Sequence, residues 1–132
     1  MIVVDTNLLV YLYVEGQRTR AAEAVLARDA AWAAPLLWRS EFRNALAGLV
    51  RRRALAIEDA IQITHEAERA MTGREYTVVS HHVLQLASRS GCSAYDCEFV
   101  ALAQDLDVPL VTADRALRRA FPSETIAPET FA

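Results

Sequence analysis

The sequence predicts an α/β fold in which helices cover both faces of a central parallel sheet. Two observations lead there. Short β-branched or apolar runs alternate along the chain with stretches whose apolar residues recur at helical spacing. The first of those runs and a late one each give way to a polar turn holding an aspartate, at the end of a strand where α/β sheets usually bind ligands. Size bounds the answer: 132 residues, 53% hydrophobic and 23% charged, suit one globular domain spanning 1–132.

Taken in order, Ile2-Val3-Val4 reads as a buried strand that stops at Asp5-Thr6-Asn7, and Leu8, Leu9 and Leu12 then carry a helix. Residues 18–28 form a second helix with Ala21, Ala22, Val25 and Leu26 on one face. Ala31 to Ala34 reads as a short strand ending at Pro35. Phe42, Ala45, Leu46, Leu49 and Val50 follow the i, i+3, i+4, i+7, i+8 pattern of a helix that closes in Arg51-Arg52-Arg53. Ile57, Ala60, Ile61, Thr64, Ala67 and Met71 mark the apolar face of the next, stopped by Gly73. Tyr76 to Val79 reads as a strand and Val83 to Arg89 as a helix broken at Gly91. Ser93 to Asp96 opens a helix lined by Phe99, Val100, Ala103 and Leu106. Pro109 to Thr112 is the following strand, Ala113-Asp114-Arg115 leads into a short helix holding Leu117, and Thr125-Ile126 is a last strand.

Composition excludes several chemistries. All 14 basic residues are arginine, which removes the P-loop lysine and Schiff-base catalysis. The four glycines, Gly16, Gly48, Gly73 and Gly91, are too scattered for a dinucleotide-binding loop. A net charge of −3 argues against a stable nucleic-acid coat and leaves open an enzyme that meets nucleic acid through a bound cation. The longest wholly apolar run, Ala30 to Trp38, contains a proline and falls well short of the roughly 20 residues a membrane span needs. Met-Ile-Val-Val-Asp has no basic leader, and Cys92 and Cys97 suggest a reduced, cytoplasmic setting. Neither cysteine is spaced with His65, His81 or His82 as a zinc finger requires, so core or surface roles are expected for all five.

Four acids stand out by position. Asp5 ends the first strand, Asp114 follows the strand ending at Thr112, Asp96 heads a sheet-facing stripe, and Glu41 borders the apolar stripe of its own helix. Each also has a purely structural explanation. Asp5 and Asp114 suit helix N-caps, Ser93 with Asp96 fits a capping box, and Glu41 could pair with an arginine. If the four converge, repulsion between two such charges 4 Å apart is about 4 kcal/mol at an effective dielectric of 20, so the cluster calls for cations or raised pKa values. Oxygen ligands suit Mg²⁺ or Mn²⁺, and acids holding such ions recur in phosphodiester hydrolysis.

The ordered set Met-Ile-Val-Val-Asp-Thr-Asn, Trp38-Arg39-Ser40-Glu41-Phe42, Ser93-Ala94-Tyr95-Asp96-Cys97 and Leu110-Val111-Thr112-Ala113-Asp114 resembles the PIN-domain ribonucleases, most closely the toxins of VapBC toxin–antitoxin pairs. The resemblance implies a three-layer α/β/α sandwich and an endoribonuclease in which Asp5, Glu41, Asp96 and Asp114 hold Mg²⁺ or Mn²⁺ and position the attacking water. It implies that Thr6 and Thr112 support the pocket by hydrogen bonding and that Asn7 follows the first aspartate where the family commonly has Asn or Ser. It also implies a homodimer, and a cognate antitoxin whose C-terminal segment covers the site and which makes the DNA contacts. Arg115, Arg118 and Arg119 are candidates for contacting RNA phosphates, whereas Arg51 to Arg53 suit a helix C-terminus. The competing readings are an inactive PIN-like binding module and an RNA-processing nuclease without an antitoxin.

Overall fold

The computed structural model describes residues 1–132. Five parallel strands form one sheet: β1 (Ile2–Val4), β2 (Trp32–Pro35), β3 (Glu75–Tyr76), β4 (Leu110–Val111) and β5 (Thr125–Ile126), in the spatial order β3-β2-β1-β4-β5. β1 is central. Its register sets Val3 beside Ala33 on one side and beside Leu110 on the other, and all three of its residues are buried. A strand enclosed on both faces has no use for alternation, which explains the unbroken apolar run.

Eight helices join the strands: α1 (Thr6–Tyr13), α2 (Thr19–Arg28), α3 (Leu37–Arg51), α4 (Ile57–Met71), α5 (Ser80–Ser90), α6 (Ala94–Leu106), α7 (Arg115–Ala120) and α8 (Pro128–Phe131). The chain moves outward from β1 to β2 to β3, then returns to place β4 on the opposite side of β1. Right-handed crossovers therefore put α1–α4 on one face and α5–α7 on the other. The contacts agree: α1, α2, α3 and α4 pack among themselves, while α5 packs on α6 and α6 lies across β1, β2 and β4. The result is an α/β/α sandwich. α6 is enclosed between α5 and the sheet, so residues 99–103 are buried in succession rather than along one stripe.

Four elements differ from expectation. β3 holds only Glu75 and Tyr76, not residues 76–79, because β2 turns into α3 just beyond Pro35 and leaves nothing to pair with. Thr77 and Val78 then lead to α5, which starts at Ser80, and Val79 is 61% exposed. β4 is likewise shortened to two residues. α3 begins at Leu37, ahead of the first apolar residue of its predicted stripe, so Glu41 lies inside the helix. On α4, Ala60, Ala67 and Met71 are buried, but Ile57 and Ile61 are each 52% exposed. Their apolar face extends past the core into an open groove against Leu46 and Val50 of α3.

Candidate active site

The order reversal between β1 and β4 opens a crevice at the carboxyl ends of the two strands, the usual place for ligands in an open α/β sheet. Asp5 leaves β1 and caps α1: one carboxylate oxygen accepts from Leu8 N at 3.0 Å, and the other accepts from the Thr112 hydroxyl. Thr112 lies just past β4, fully buried, and its hydroxyl also accepts from Asp114 N at 3.0 Å. Asp114 in turn caps α7, accepting from Leu117 N at 3.1 Å. One buried threonine thus ties together the two acids at the strand ends.

Glu41 and Asp96 come from helices on opposite layers. Trp38, Phe42 and Leu46 form the buried stripe of α3, with the Trp38 and Phe42 rings edge to face at 5.5 Å. Glu41, one turn from Trp38, borders that stripe and points across to α1, where the Thr6 hydroxyl donates to it at 2.6 Å. No arginine pairs with Glu41. Arg39 instead makes a bidentate pair with Glu75 at 2.6 and 2.9 Å, which also accepts from Trp38 Nε1 at 2.7 Å. That clamp from β3 holds the start of α3 and with it the station of Glu41. Asp96 is in the first turn of α6, whose N-cap Ser93 accepts from Asp96 N at 3.0 Å.

All four acids line one cavity of about 260 Å³, together with Thr6, Asn7 and Asn44. No arginine or histidine lines it. The electrostatics follow. Burial pushes the Asp5 carboxyl up to about 6, against the hydrogen bonds from Thr112 and Leu8, and the charges of Asp114 and Glu41 push the same way. Burial, then the charge of Asp96, raises Glu41; burial, then the charge of Asp114, raises Asp96. Glu98, on α6 between the cavity-lining Asp96 and Phe99, is raised by burial and by Glu41.

No three His, Cys, Asp or Glu side chains meet closely enough to hold one ion as they stand. Hydrogen bonds hold Asp5, Glu41 and Asp114 each to its own partner. The donor set nonetheless fits a hard divalent cation: every acidic ligand is an oxygen, and the cavity's own residues offer no positive charge to balance them.

The other candidates fall around this cavity. Asn7 is exposed at its rim. Arg115 and Arg119 are exposed on α7 outside the lining, and Arg118 is half-buried with an unpaired Nε. Cys97 is buried beside Ser90, and His82 bonds Gln104 on α6; neither lines the cavity. Sequence reasoning passes over Asn44, which lines the cavity one helical turn beyond Glu41; that i+3 spacing is the signal that could have found it.

Comparison with known proteins adds to the geometry. Residues 2–121 match the family described as PIN domain. Ribonuclease VapC3 of Pyrobaculum aerophilum is 30% identical over 125 residues, covering 92% of this chain and 95% of that protein. Among solved structures, PAE2754 from Pyrobaculum aerophilum superposes with a TM-score of 0.78 at 22% identity, over 98% of this chain and 91% of its own. A chain of a toxin–antitoxin complex from Klebsiella pneumoniae does so with a TM-score of 0.70 at 19% identity, over 97% and 98%.

Proposed function

The chain belongs to the PIN domain family, and from that premise we propose that it is a Mg²⁺- or Mn²⁺-dependent endoribonuclease, the toxin of a toxin–antitoxin pair. One observation carries the chemistry: four carboxylates from four separate elements face one cavity that contains no basic side chain. The name of the relative Ribonuclease VapC3 supports RNA as the substrate.

Asp5, Glu41, Asp96 and Asp114 are the residues that would hold the metal. When bound, the cation neutralises their repulsion, lowers the pKa of water and stabilises charge on the leaving oxygen. The chain's own part is positional. Thr112 and Thr6 orient Asp5 and Glu41, so that those carboxylates do not depend on the ion for their direction. Arg115 and Arg118, on α7 directly after Asp114, are the candidates to meet phosphates of the bound strand, and Asn7 is an exposed residue of the cavity lining.

The partners are an RNA strand, a cognate antitoxin and, as a homodimer, a second copy. DNA is reached only through the antitoxin. The groove between α3 and α4, floored by Leu46 and Val50 and edged by the half-exposed Ile57 and Ile61 between Arg43 and Arg51, offers an apolar antitoxin segment its seat. The similarity to a chain of a toxin–antitoxin complex supports that pairing. No helix is long and apolar enough to cross a membrane.

The test is cleavage of a structured RNA by purified protein in Mg²⁺ or Mn²⁺, with EDTA and Asp96→Asn as controls. Cleavage lost in both controls establishes the nuclease. No cleavage together with no Mn²⁺ uptake by calorimetry makes the chain a binding module instead.

A further inference from the structure

A cavity walled by four carboxylates has a difficulty beyond charge. Carboxylates only accept hydrogen bonds, and so do phosphate oxygens. A phosphodiester entering here finds few side-chain donors. The Thr6 hydroxyl already donates to Glu41, and Thr112 donates to Asp5. The backbone N–H groups of Leu8, Asp114 and Leu117 are likewise committed, to Asp5, Thr112 and Asp114. Two side-chain donors in the lining take no part in these bonds, the amides of Asn7 and Asn44.

Asn44 is the more telling of the two. It sits in the interior of α3, a 15-residue helix, where asparagine costs roughly half a kcal/mol or more against alanine. Its neighbours Ala45 and Ala47 show that alanine is at home on this stretch. No hydrogen bond to the protein recovers the cost, and the side chain is exposed, so packing does not recover it either. A residue that weakens its own helix and makes no hydrogen bond within the fold is best explained by something outside the fold. Its position gives the direction: one turn from Glu41, on the same face, at the cavity wall. The amide is neutral, so it supplies a donor without adding a fifth charge to the four acids.

We infer that Asn44 is a substrate-contacting residue whose side-chain amide donates a hydrogen bond to a phosphate oxygen of the bound RNA strand. The inference rests on the nuclease reading above. It assigns to α3 two tasks on one face, a carboxylate for the cation side of the reaction and an amide for the substrate side.

The experiment compares wild type, Asn44→Ala, Asn44→Asp and Asn44→Gln. Each is assayed for kcat and KM on a fluorescein-labelled pool of random-sequence single-stranded RNA in Mn²⁺, for Mn²⁺ affinity by calorimetry, and for stability in urea. Asn44→Ala is expected to lower kcat/KM by about tenfold to a hundredfold, the size of one hydrogen bond to a charged group. Its Mn²⁺ affinity stays within about twofold of wild type, and its stability is unchanged or slightly higher. Asn44→Asp, the same shape without the donor, loses at least as much activity while binding Mn²⁺ no more weakly. Asn44→Gln, which keeps an amide, recovers part of the loss. A kcat/KM for Asn44→Ala equal to wild type overturns the inference. So does a fall in Mn²⁺ affinity that matches the fall in cleavage. A wild-type protein that neither cleaves the pool nor binds Mn²⁺ sinks the nuclease reading itself, and this inference with it.

Discussion

Asp5→Asn should make the metal-free protein more stable at neutral pH and less stable in acid. The Asp5 carboxyl titrates at about 6 in the folded chain against an ordinary 3.8. The native state therefore holds that proton more tightly between the two values. Folding stability falls as pH rises through this window, and above about 6 the cost of the buried charge is fully developed. Roughly two pH units at about 1.4 kcal/mol each come to about 3 kcal/mol. Asp5 is only 8% exposed, so solvent does little to reduce the figure. Asparagine keeps the Leu8 cap through its oxygen, but its amide faces the Thr112 hydroxyl, which must turn from donor to acceptor; that exchange costs about 1 kcal/mol at every pH. The variant should therefore be about 2 kcal/mol more stable than wild type near pH 7.5 and about 1 kcal/mol less stable near pH 3.

Urea unfolding of both proteins in EDTA, at fixed ionic strength, measures the difference directly. Glu41, Asp96 and Glu98 are also raised, and Asp29 and Glu75 are lowered, so each protein alone has a composite pH profile. Taking the difference between the two proteins leaves the contribution of Asp5. Mn²⁺ at about a hundred times its dissociation constant should then stabilise wild type by about 2.7 kcal/mol and leave Asp5→Asn almost unmoved. Parallel profiles for the two proteins between pH 4 and 7.5 would refute the reasoning, because they would mean that Asp5 carries no buried charge.

Thr112→Val removes one hydroxyl that serves Asp5 and Asp114 together, and should cost about 1–3 kcal/mol in thermal or urea unfolding while weakening Mn²⁺ binding by calorimetry. Glu75→Gln breaks the bidentate pair with Arg39, and a loss of about 2 kcal/mol in urea unfolding at pH 7 is expected. Because Glu75 titrates below its ordinary value, that contribution is present above about pH 4.5 and fades as pH falls through the lowered native value. Ile57→Gln with Ile61→Gln should change stability by less than about 1 kcal/mol, since both are half exposed, and leave RNA cleavage intact. Co-expressed antitoxin should no longer copurify with that double variant; full retention would place the antitoxin elsewhere.

Much of this architecture is local information. Ile2-Val3-Val4 followed by Asp5 announces a strand and a cap within a few residues, and both are present. The partial failures share a cause: periodicity reports that a face is apolar, not what covers it. Ile57 and Ile61 continue the stripe of Ala60 and Met71 without a difference in pattern, yet α3 reaches only part of it. Residues 77–79 carry strand-forming side chains, but β2 has already turned into a helix. The gathering of Asp5, Glu41, Asp96 and Asp114 is a long-range event set by the strand order, which spacing does not encode; the family resemblance supplied it. Asn44 stayed hidden because asparagine on a helix looks like any solvated polar residue until its neighbours across the cavity are known.

The capping and metal-binding readings of these acids are compatible. Asp5, Asp96 and Asp114 lie at the N-terminal ends of α1, α6 and α7, where the unpaired N–H groups favour negative charge. Asp5 and Asp114 each spend one oxygen on a cap. That bond fixes the carboxylate's direction and offsets part of the repulsion from its neighbours before any cation arrives. Glu41 has no helix end behind it and is steadied by Thr6 instead. A fold that places helix starts at the carboxyl edge of a parallel sheet can thus assemble several acids at one crevice, and the charge that the caps leave uncompensated is what a divalent ion would answer.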